Sequence, residues 1–499
     1  MFNRYLAHSC VFSRFLSRSG YYQSGGAYGF RDQLQDCLML MYSDKKRAFS
    51  HICRAASHQF KEGDVLHWWH TQGKKGVRTT CSDDYLWLVY VLCEYMKFSG
   101  DASLLDICVP YVEGAQLSEG ENERYIAFSN STSKETLYLH AARALDRALS
   151  KLGEHGLSIM GCCDWCDGYS SVGKNGKGES TFTTVFLIID LLSFADICSK
   201  RNDKEREDRY KEYAQRLIDS LLKHCYDVKN GYFIRGYYDD MTPLGSALND
   251  EGKIDLMAQC FSPMCFLDEA ITKSSLDAAY ESLFDKKYGI MKLLSPPFDK
   301  GEKNPGYIKG YLAGVRENGG QYTHGALFFA LGCFELSDRL FDSDPEASEK
   351  YASMGGEILK YSNPAFRCSD SAPFEIRDAY ITEPYAVAAD IYSSKDHIGR
   401  GGWTHYTGAS GWFYRLILNY VFGVRVFDAD TERPYILINA KRSFPLSAIT
   451  DGGALSFKEF GFDLKILYIR DGKKRVTSGG KVIEDGQIYK ETKKIEVHI

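Results

Sequence analysis

The chain has 499 residues, of which 25% are charged, and its formal net charge is -5 at neutral pH. This length exceeds a typical single-core domain, so we expect one large domain with an appendage, or several domains. There is no basic surplus of the kind that binds nucleic acid or an anionic membrane surface. The composition therefore favours a neutral or small ligand.

Fifteen cysteines are scattered along the chain, unlike the dense spacing of a small disulfide-stabilised domain. We interpret them as reduced thiols and expect a cytoplasmic location. Cys163 and Cys166 form a CxxC, but no second pair follows at zinc spacing, so we expect no metal. The N-terminal residues lack the apolar run of a signal peptide, and the most apolar segments are short or contain an acid. We therefore expect no membrane-spanning helix.

Helical periodicity runs from about residue 32 to 422. In 132–152 apolar residues recur every three to four positions, and Thr132 with Glu135 has capping-box spacing. The run at Pro345 has Asp344 as N-cap and proline at its first helical position. Similar runs begin elsewhere, near Asp32, Lys45, Ser82, Ser180, Glu205, Asp255, Ser274, Gln321, Pro384 and Ser410. About twelve helices are predicted, a number that suits a toroid of six helical hairpins, (α/α)6.

Glycine- and aromatic-rich stretches fall between the predicted helices. A barrel of alternating inner and outer helices would gather these connections at one end, where loops on a rigid scaffold can build a pocket. Periodicity alone does not separate such a toroid from an open helical array. We predict a mainly α-helical fold with the barrel as the catalytic domain, residues 1–423.

The pattern changes after about Val424. Phe462, Leu464, Ile466 and Tyr468 alternate with polar residues, and Asp-Gly pairs at 471–472 and 485–486 are typical of hairpin turns. We predict a small C-terminal β-sandwich domain, jelly-roll-like, over residues 424–499. No Pro-rich linker separates the two parts, so we expect them to pack closely.

The stretch GCCDWCDG places Asp164 and Asp167 on either side of Trp165. Inverting hydrolysis of a glycosidic bond uses an acid and a base, two carboxylates roughly 6.5 to 9.5 Å apart. Two carboxylates three residues apart are too near in sequence to be assumed to flank a substrate. One could be the acid and the other could hold the loop through Asx-type hydrogen bonds. By itself the pattern equally fits a loop cap.

Two further stretches suit an anion. RENGGQYTH, residues 316–324, places Arg, Glu, Gly and His at a helix start, and WTHYTGASGW, residues 403–412, places the Thr407 hydroxyl and Gly408 amide at another. No Walker A or Rossmann spacing occurs, which favours inorganic phosphate over a nucleotide. Each stretch taken singly also fits an ordinary helix cap.

Seven stretches in this order resemble the cellobiose phosphorylase family of inverting glycoside phosphorylases: SGGAYGFRDQLQD, EGDVLHWWH, GVRTTCSDDYLWL, GCCDWCDGYSSVG, GYIKGYLAGVRENGGQYTH, EPYAVAADIY and GRGGWTHYTGASGW. The family includes chitobiose, cellodextrin, laminaribiose and β-1,2-oligoglucan phosphorylases and the phosphorylase-like part of cyclic β-1,2-glucan synthases. The resemblance runs from about Tyr5 to Val424, and the tail resembles the family's C-terminal β domain.

The resemblance implies an (α/α)6 barrel and a glycosyltransferase-type enzyme, a hexosyltransferase. A β-glucoside and inorganic phosphate would give α-D-glucose 1-phosphate and a shortened acceptor, with phosphate as co-substrate and no cofactor. Asp167 matches the family's general acid, and Cys166 replaces the Asn of its DWNDG motif. The other implied site residues are Arg31, Asp32, Trp165, Glu317 and Gln321 for the sugar, and His324, Thr407 and Gly408 for phosphate.

Phosphate is already an anion and needs no general base, which would explain a single indispensable carboxylate. Asp167 must be protonated when phosphate attacks, and we expect burial or the charge of Asp164 to keep it so.

Two alternatives stay open. An inverting hydrolase on the same toroid would use Glu317 or Glu383 as the base for water. A truncated, non-catalytic carbohydrate-binding subunit is the other, because family members normally begin with a large β-sandwich and this chain begins at the barrel's first motif. Three interpretations of this beginning stay open: a fragment, one half of a split gene, or a decayed copy. As partners we expect a second copy in a homodimer, or a separate chain supplying the N-terminal domain. The linkage of the substrate, the length of the acceptor and the donor sugar, glucose or N-acetylglucosamine, are not fixed by any motif.

Overall fold

The computed structural model describes residues 2–16, 27–265, 267–440, 442, 444–445 and 452–499. In these ranges the α-helices are α1 Phe30–Leu40, α2 Lys45–Ala56, α3 Leu86–Ser99, α4 Leu137–Leu149, α5 Thr181–Lys200, α6 Lys204–His224, α7 Met257–Cys260, α8 Glu269–Leu283, α9 Thr323–Leu340, α10 Pro345–Ser362, α11 Pro364–Arg367, α12 Phe374–Tyr380 and α13 Ala409–Leu416. Turns of π or 3₁₀ geometry are Phe2–Leu6, Ser9–Phe15, Ala102–Asp106, Asp167–Tyr169, Ser262–Cys265, Tyr307–Gly310 and Ile417–Val421.

Six helices contact one another in a closed ring, in the order α1, α3, α5, α7, α9, α13 and back to α1. Helices α1, α3, α5 and α9 bury nearly every side chain. Helices α2, α4, α6, α8 and α10 pack on the outside of this ring and bury one face each. The chain therefore folds as an α-helical barrel, and its core lies within and just outside the ring.

Helix α5 is long and apolar enough to cross a membrane. Of its most apolar window, 83% is buried inside the barrel, where α3, α6 and α7 pack against it. Burial on all sides explains an apolar surface all round the helix without any lipid contact.

Helix starts follow the N-cap signals in the sequence. The Asp344 carboxylate accepts a hydrogen bond from the Ala347 N–H at the start of α10, as predicted. The predicted capping box at Thr132 is wrong. Residue 132 lies in a strand, and the Thr136 hydroxyl caps α4 by accepting from the Leu139 N–H. No helix begins at Pro384 either, because the backbone of 388–391 pairs with 401–404 instead.

The barrel part also contains strands, which the helical pattern did not predict. They are β1 Ala27–Gly29, β2 Leu66–His70, β3 Lys75–Thr79, β4 Cys108–Gly114, β5 Glu123–Thr136, β6 Glu179–Ser180, β7 Tyr226–Asp227, β8 Tyr232–Phe233, β9 Gly236–Tyr237, β10 Pro243–Leu244, β11 Ile254–Asp255, β12 Phe284–Asp285, β13 Ile290–Met291, β14 Leu294–Ser295, β15 Gln321–Tyr322 and β16 Asp390–Ile391. The first five form an antiparallel sheet in the order β1-β2-β3-β5-β4.

The C-terminal part is built from two sheets. Its strands are β17 Arg425–Phe427, β18 Tyr435–Leu437, β19 Ala454–Phe457, β20 Leu464–Ile469, β21 Arg475–Ser478, β22 Lys481–Val482, β23 Gln487–Tyr489 and β24 Lys494–His498. One sheet has the order β17-β18-β23 and the other β19-β20-β24-β21-β22, with β20 and β24 parallel. Leu464, Ile466 and Tyr468 are buried as their alternation predicted.

The Asp-Gly pairs at 471–472 and 485–486 are turns but not hairpins. Both glycines have positive φ, yet β20 pairs with β24 rather than β21, and β22 and β23 lie in different sheets. A jelly-roll sandwich and the division at residue 423 stay predictions. The two parts do contact each other: Lys45 Nζ lies 2.6 Å from Asp430 Oδ1.

Candidate active site

The N-termini of three neighbouring inner helices, α1, α9 and α13, meet at one cavity of about 240 Å³. The free N–H groups of helix N-termini carry partial positive charge and favour an anion. The cavity is lined by Arg14, Arg31, Asp32, Trp165, Asp167, Arg316, Glu317, Tyr322, His324, Trp403, Tyr406, Thr407 and Gly408. The structure thus brings together every predicted site residue except Gln321.

The loop 161–173 presents Trp165 and Asp167 to this cavity. Gly161 has a φ of +66°, and a Cβ there would lie 2.0 Å from the Thr80 carbonyl oxygen. Only glycine allows this close approach. The Cys162 N–H donates to the Thr80 hydroxyl at 2.9 Å, and the Ser82 N–H donates to the Cys163 carbonyl at 3.0 Å. The loop is therefore fixed to the segment that precedes α3.

Asp164 holds the loop from inside. Its side chain is fully buried, and its Oδ1 lies 2.6 Å from Arg235 Nη2 in an ion pair that is also fully buried. Oδ1 also accepts from the Cys166 N–H at 3.0 Å, and Oδ2 accepts from the Ser180 hydroxyl at 2.6 Å. The bond to Cys166 is the Asx-type contact predicted for one of the two acids, so Asp164 supports the loop.

Asp167 lies in the same loop and lines the cavity. Its Oδ1 is ion-paired with the Arg31 guanidinium. Arg31 also donates to Asp83 Oδ1 at 3.0 Å and to the Asp164 carbonyl at 2.9 Å. The expectation that Asp167 is kept protonated stays a prediction. Its side chain is 42% exposed, and Asp164 is ion-paired with Arg235.

His324 lies in the first turn of α9, 5% exposed. Burial, with the positive charges of Arg14 and Arg31, holds its pKa well below the usual range, so the ring is neutral. Its Nε2 lies 2.9 Å from Gln35 Oε1, an oxygen that also accepts from the Trp412 indole N–H. The Gln35 oxygen requires a proton on Nε2, which leaves Nδ1 as the acceptor of the ring.

Gly408 lies beside Arg14 and His324 at one end of the cavity. We call this end, formed by Arg14, His324 and Gly408, the anion end. A Cβ on Gly408 would lie 2.4 Å from Arg14 Nη1 and 2.6 Å from His324 Cε1. The Thr407 hydroxyl accepts from the Ala409 N–H at 3.1 Å, a local turn just before α13. A guanidinium and an imidazole thus lie so close to the Gly408 backbone that a side chain at this position would collide with them.

Glu317 lies on the opposite wall, within 3.2 Å of Arg316 Nε. Burial raises the pKa of the Glu317 carboxyl, an effect that the Arg316 charge partly offsets. Arg316 has a φ of +50° and stacks 4.0 Å from the Trp403 ring centroid. Backbone strain of this kind clusters at functional sites.

Two other residues singled out in the sequence, Gln321 and Glu383, do not line this cavity. Gln321 is buried, and its Oε1 accepts from the Met291 N–H at 2.8 Å, so its sugar contact stays a prediction without support from the cavity. Glu383 Oε2 accepts from the Thr382 and Thr404 hydroxyls at 2.8 and 2.9 Å. This carboxylate is thus engaged by its own loop.

Five lining residues were not among the predicted site residues: Arg14, Arg316, Tyr322, Trp403 and Tyr406. Arg14 pairs with Asp36 at 3.4 Å and with Asp32 at 3.3 Å. It lies in an N-terminal segment whose pattern was interpreted only as unlike a signal peptide. Nothing in its local sequence marks Arg14, because its role arises from contact with residues at the far end of the chain.

The inner helices thus form a barrel with a polar cavity at the N-termini of α1, α9 and α13. A family model described as the glycosyl hydrolase 94 superfamily, catalytic domain, matches residues 1–423. The chain belongs to this family.

Several known proteins are similar to the chain. It is 38% identical to the cyclic β-(1,2)-glucan synthase NdvB of Rhizobium meliloti strain 1021, over 85% of this chain and 14% of that protein. It is 28% identical to a 3-O-β-D-glucopyranosyl-β-D-glucuronide phosphorylase of Paenibacillus borealis, over 79% and 47%. It is 27% identical to an N,N'-diacetylchitobiose phosphorylase of Vibrio furnissii, over 87% and 52%. The chain thus spans about half or less of the length of these relatives.

Solved structures share the fold. A structure described as a wild-type glycosidase superposes with a TM-score of 0.50 at 13% identity, over 83% of this chain and 96% of that chain. An uncharacterized conserved protein from Thermus thermophilus gives 0.50 at 10% identity, over 82% and 98%. At such identities the likeness concerns the fold alone.

Proposed function

We propose that the chain is an inverting glycoside phosphorylase. A β-linked glucose oligosaccharide and inorganic phosphate would give α-D-glucose 1-phosphate and a shortened acceptor. One observation carries the proposal: the carboxylic acid Asp167 and the anion end formed by Arg14, His324 and Gly408 share a single small cavity. An acid beside an anion site suits a reaction in which the anion is the nucleophile.

In the proposed reaction Asp167 gives its proton to the glycosidic oxygen as the bond between that oxygen and the anomeric carbon breaks. An oxygen of hydrogen phosphate attacks the same carbon from the opposite face, which inverts the configuration. The proton that phosphate brought returns to Asp167 and restores the acid. A sugar in the cavity would cover the exposed side of Asp167 and compete for Arg31, which favours the protonated acid during reaction.

The anion end is expected to hold phosphate in line rather than activate it. Because His324 is neutral and offers Nδ1 as an acceptor, it suits a phosphate oxygen that carries a proton. Arg14 and the N-termini of α9 and α13 supply the positive potential. Orientation of this kind replaces the general base of a hydrolase.

Glu317 keeps an inverting hydrolase as the second candidate, because it lies in the cavity and is the carboxylate that could activate water. Its ion pair with Arg316 favours a sugar-binding role instead. Glu383, held by Thr382 and Thr404, is the weaker choice of base.

A β-1,2 linkage is the first to test, because the relative that is 38% identical is a cyclic β-(1,2)-glucan synthase. Sophorose, laminaribiose and cellobiose present the three β-linkages with glucose at the donor position. Each would be incubated with the full chain, with and without phosphate, and the products identified by NMR.

We expect α-glucose 1-phosphate from at least one disaccharide, and only when phosphate is present. Free glucose formed equally without phosphate would establish the hydrolase. Calorimetric binding of oligosaccharide with no turnover at any phosphate concentration would establish a binding subunit. The Asp167→Asn variant serves as the catalytic control.

Further properties belong to the same proposal. We take the ring of six inner helices as the inner layer of an (α/α)6 toroid, which the alternation of ring and outer helices from α1 to α10 supports. We propose a cytoplasmic enzyme without a cofactor for its reaction, and the free thiols among the described residues support a reducing compartment. As partners we propose a second copy of the chain or a separate chain supplying an N-terminal domain.

A further inference from the structure

Behind the acid loop, three side chains of different elements come together. His67 lies in β2, and Cys81 and Asp84 lie between β3 and α3. One ligand atom from each lies within 4.8 Å of the other two, and His67 Nδ1 is 2.7 Å from Asp84 Oδ2. An imidazole nitrogen, a thiolate and a carboxylate are the three ligand types that zinc takes in proteins.

Asp84 supplies an independent observation. Its side chain is 1% exposed, and its Oδ1 has no hydrogen-bond partner among the described residues. The Arg31 guanidinium reaches only to 4.0 Å from it and is shared with Asp83 and Asp167. A buried carboxylate oxygen without a partner is unusual, and a cation bound here would satisfy it.

A further thiol is available from the acid loop, outside this group of three. The Cys163 thiol faces that of Cys81 and donates to Asp167 Oδ1 at 3.7 Å, and the Cys162 thiol lies 3.8 Å from Cys163. Two thiols in one cluster select a soft cation over Mg²⁺ or Ca²⁺, which prefer oxygen ligands. His67 is 20% exposed at its side chain and Cys162 is half-buried, so an ion can reach the cluster from solvent.

We propose that His67, Cys81, Asp84 and Cys163 bind a thiophilic divalent cation such as Zn²⁺. Binding forms two metal–sulfur bonds and one metal–nitrogen bond, and the two thiol protons, with the proton on the His67 nitrogen that binds the metal, go to solvent. The site departs from the expectation of no metal, which considered only the CxxC spacing of Cys163 and Cys166. This proposal depends only on the four residues named here and does not require the chain to be a phosphorylase.

The full chain, stripped of metal with a chelator, would be titrated with Zn²⁺ in competition with a chromophoric chelator. We expect one tight site, weakened at least about tenfold in Cys81→Ser and in His67→Gln. The matched control is Cys108→Ser, which removes an exposed thiol and should bind Zn²⁺ like the parent chain.

Co²⁺ used as a spectroscopic probe gives a readout that needs no variant. We expect the absorption of a tetrahedral ion with thiolate ligands, and a rise in Tm when Zn²⁺ is added. Equal Zn²⁺ affinity in all variants, or an octahedral Co²⁺ spectrum without a thiolate band, would overturn the proposal. So would a Cys81–Cys163 disulfide, found by mass spectrometry in freshly purified protein, because it would assign the thiols to redox chemistry.

Discussion

Arg31 links the acid to the first helix of the ring. Its guanidinium holds Asp167 on one side and Asp83 and the loop backbone on the other. The position of the carboxyl group at the cavity is therefore set by a side chain of α1.

Asp167→Asn tests the proton donor. Amide and acid have nearly the same shape, so binding should survive while general acid catalysis, typically 10²- to 10⁴-fold, is lost. We expect phosphorolysis of a β-glucobiose to fall by about 10³-fold. β-Glucosyl fluoride should be affected far less, because fluoride leaves without a proton. An equal loss on both substrates, measured as kcat/KM, would contradict the role of Asp167.

Gly408→Ala tests the anion end. The added methyl would lie within 2.6 Å of Arg14 Nη1 and His324 Cε1, which must move away and so misplace phosphate. A displacement of about 1 Å can cost about 10²-fold, so we expect kcat/KM for phosphate to fall by that order. Gly73→Ala is the matched control, since its Cβ would meet nothing within 4 Å. Unchanged kinetics in Gly408→Ala would show that phosphate binds elsewhere.

At the scale of elements, the loop 161–173 depends on one buried ion pair. Asp164 and Arg235 are both fully buried, and Arg235 also lies 3.4 Å from Asp255 and 5.0 Å from the Tyr169 ring centroid. Removing one partner of a buried pair leaves an uncompensated charge, which is costlier than losing a surface pair.

Asp164→Ala should therefore destabilise the fold by about 3–5 kcal/mol, measured by urea unfolding. The control is Glu212→Gln, which removes an exposed ion pair with Arg216 and should not change the midpoint measurably. If Asp164→Ala unfolded at the same urea concentration as the parent, the loop would be held by its backbone contacts alone.

Particular elements show what the sequence could predict. His324 and Gly408 were recognisable because they stand at helix starts, where a bound anion is favoured. Arg31 and Asp167 were recognised through the resemblance of their motifs to the family. The sheet β1-β2-β3-β5-β4 could not be predicted from the sequence. Strand β5 has few buried positions, and its pairing is set by distant segments. Arg14 was missed for the same reason: its contact with Gly408 joins the two ends of the helical ring.

At the scale of the whole molecule, the barrel buries histidines that no mechanism uses. Burial is the main cause that lowers the pKa of His51 to about 3 and of His58 and His140 to about 4. In the unfolded chain a histidine titrates near 6.5. The unfolded state therefore binds protons first as the pH falls, and the stability present above pH 6.5 is lost progressively towards pH 4.

His51 gives the clearest test of this dependence. Its ring packs on Phe15 and Tyr28, and neither ring nitrogen has a hydrogen-bond partner among the described residues, so His51→Phe keeps the ring contacts. With a pKa of about 3 in the fold and about 6.5 in the unfolded chain, His51 lowers the free energy of unfolding by about 2 kcal/mol between pH 7 and pH 5.

The loss of unfolding free energy between these pH values, from urea titrations at both, should shrink by about 2 kcal/mol in His51→Phe. His397→Gln removes an exposed histidine and should leave that loss unchanged. If the variant loses as much stability at pH 5 as the parent, the ring of His51 must already bind a proton inside the barrel. The acid sensitivity of the fold would then come from carboxylates whose pKa is lowered in the fold, such as Glu94 beside Lys97 and Arg415.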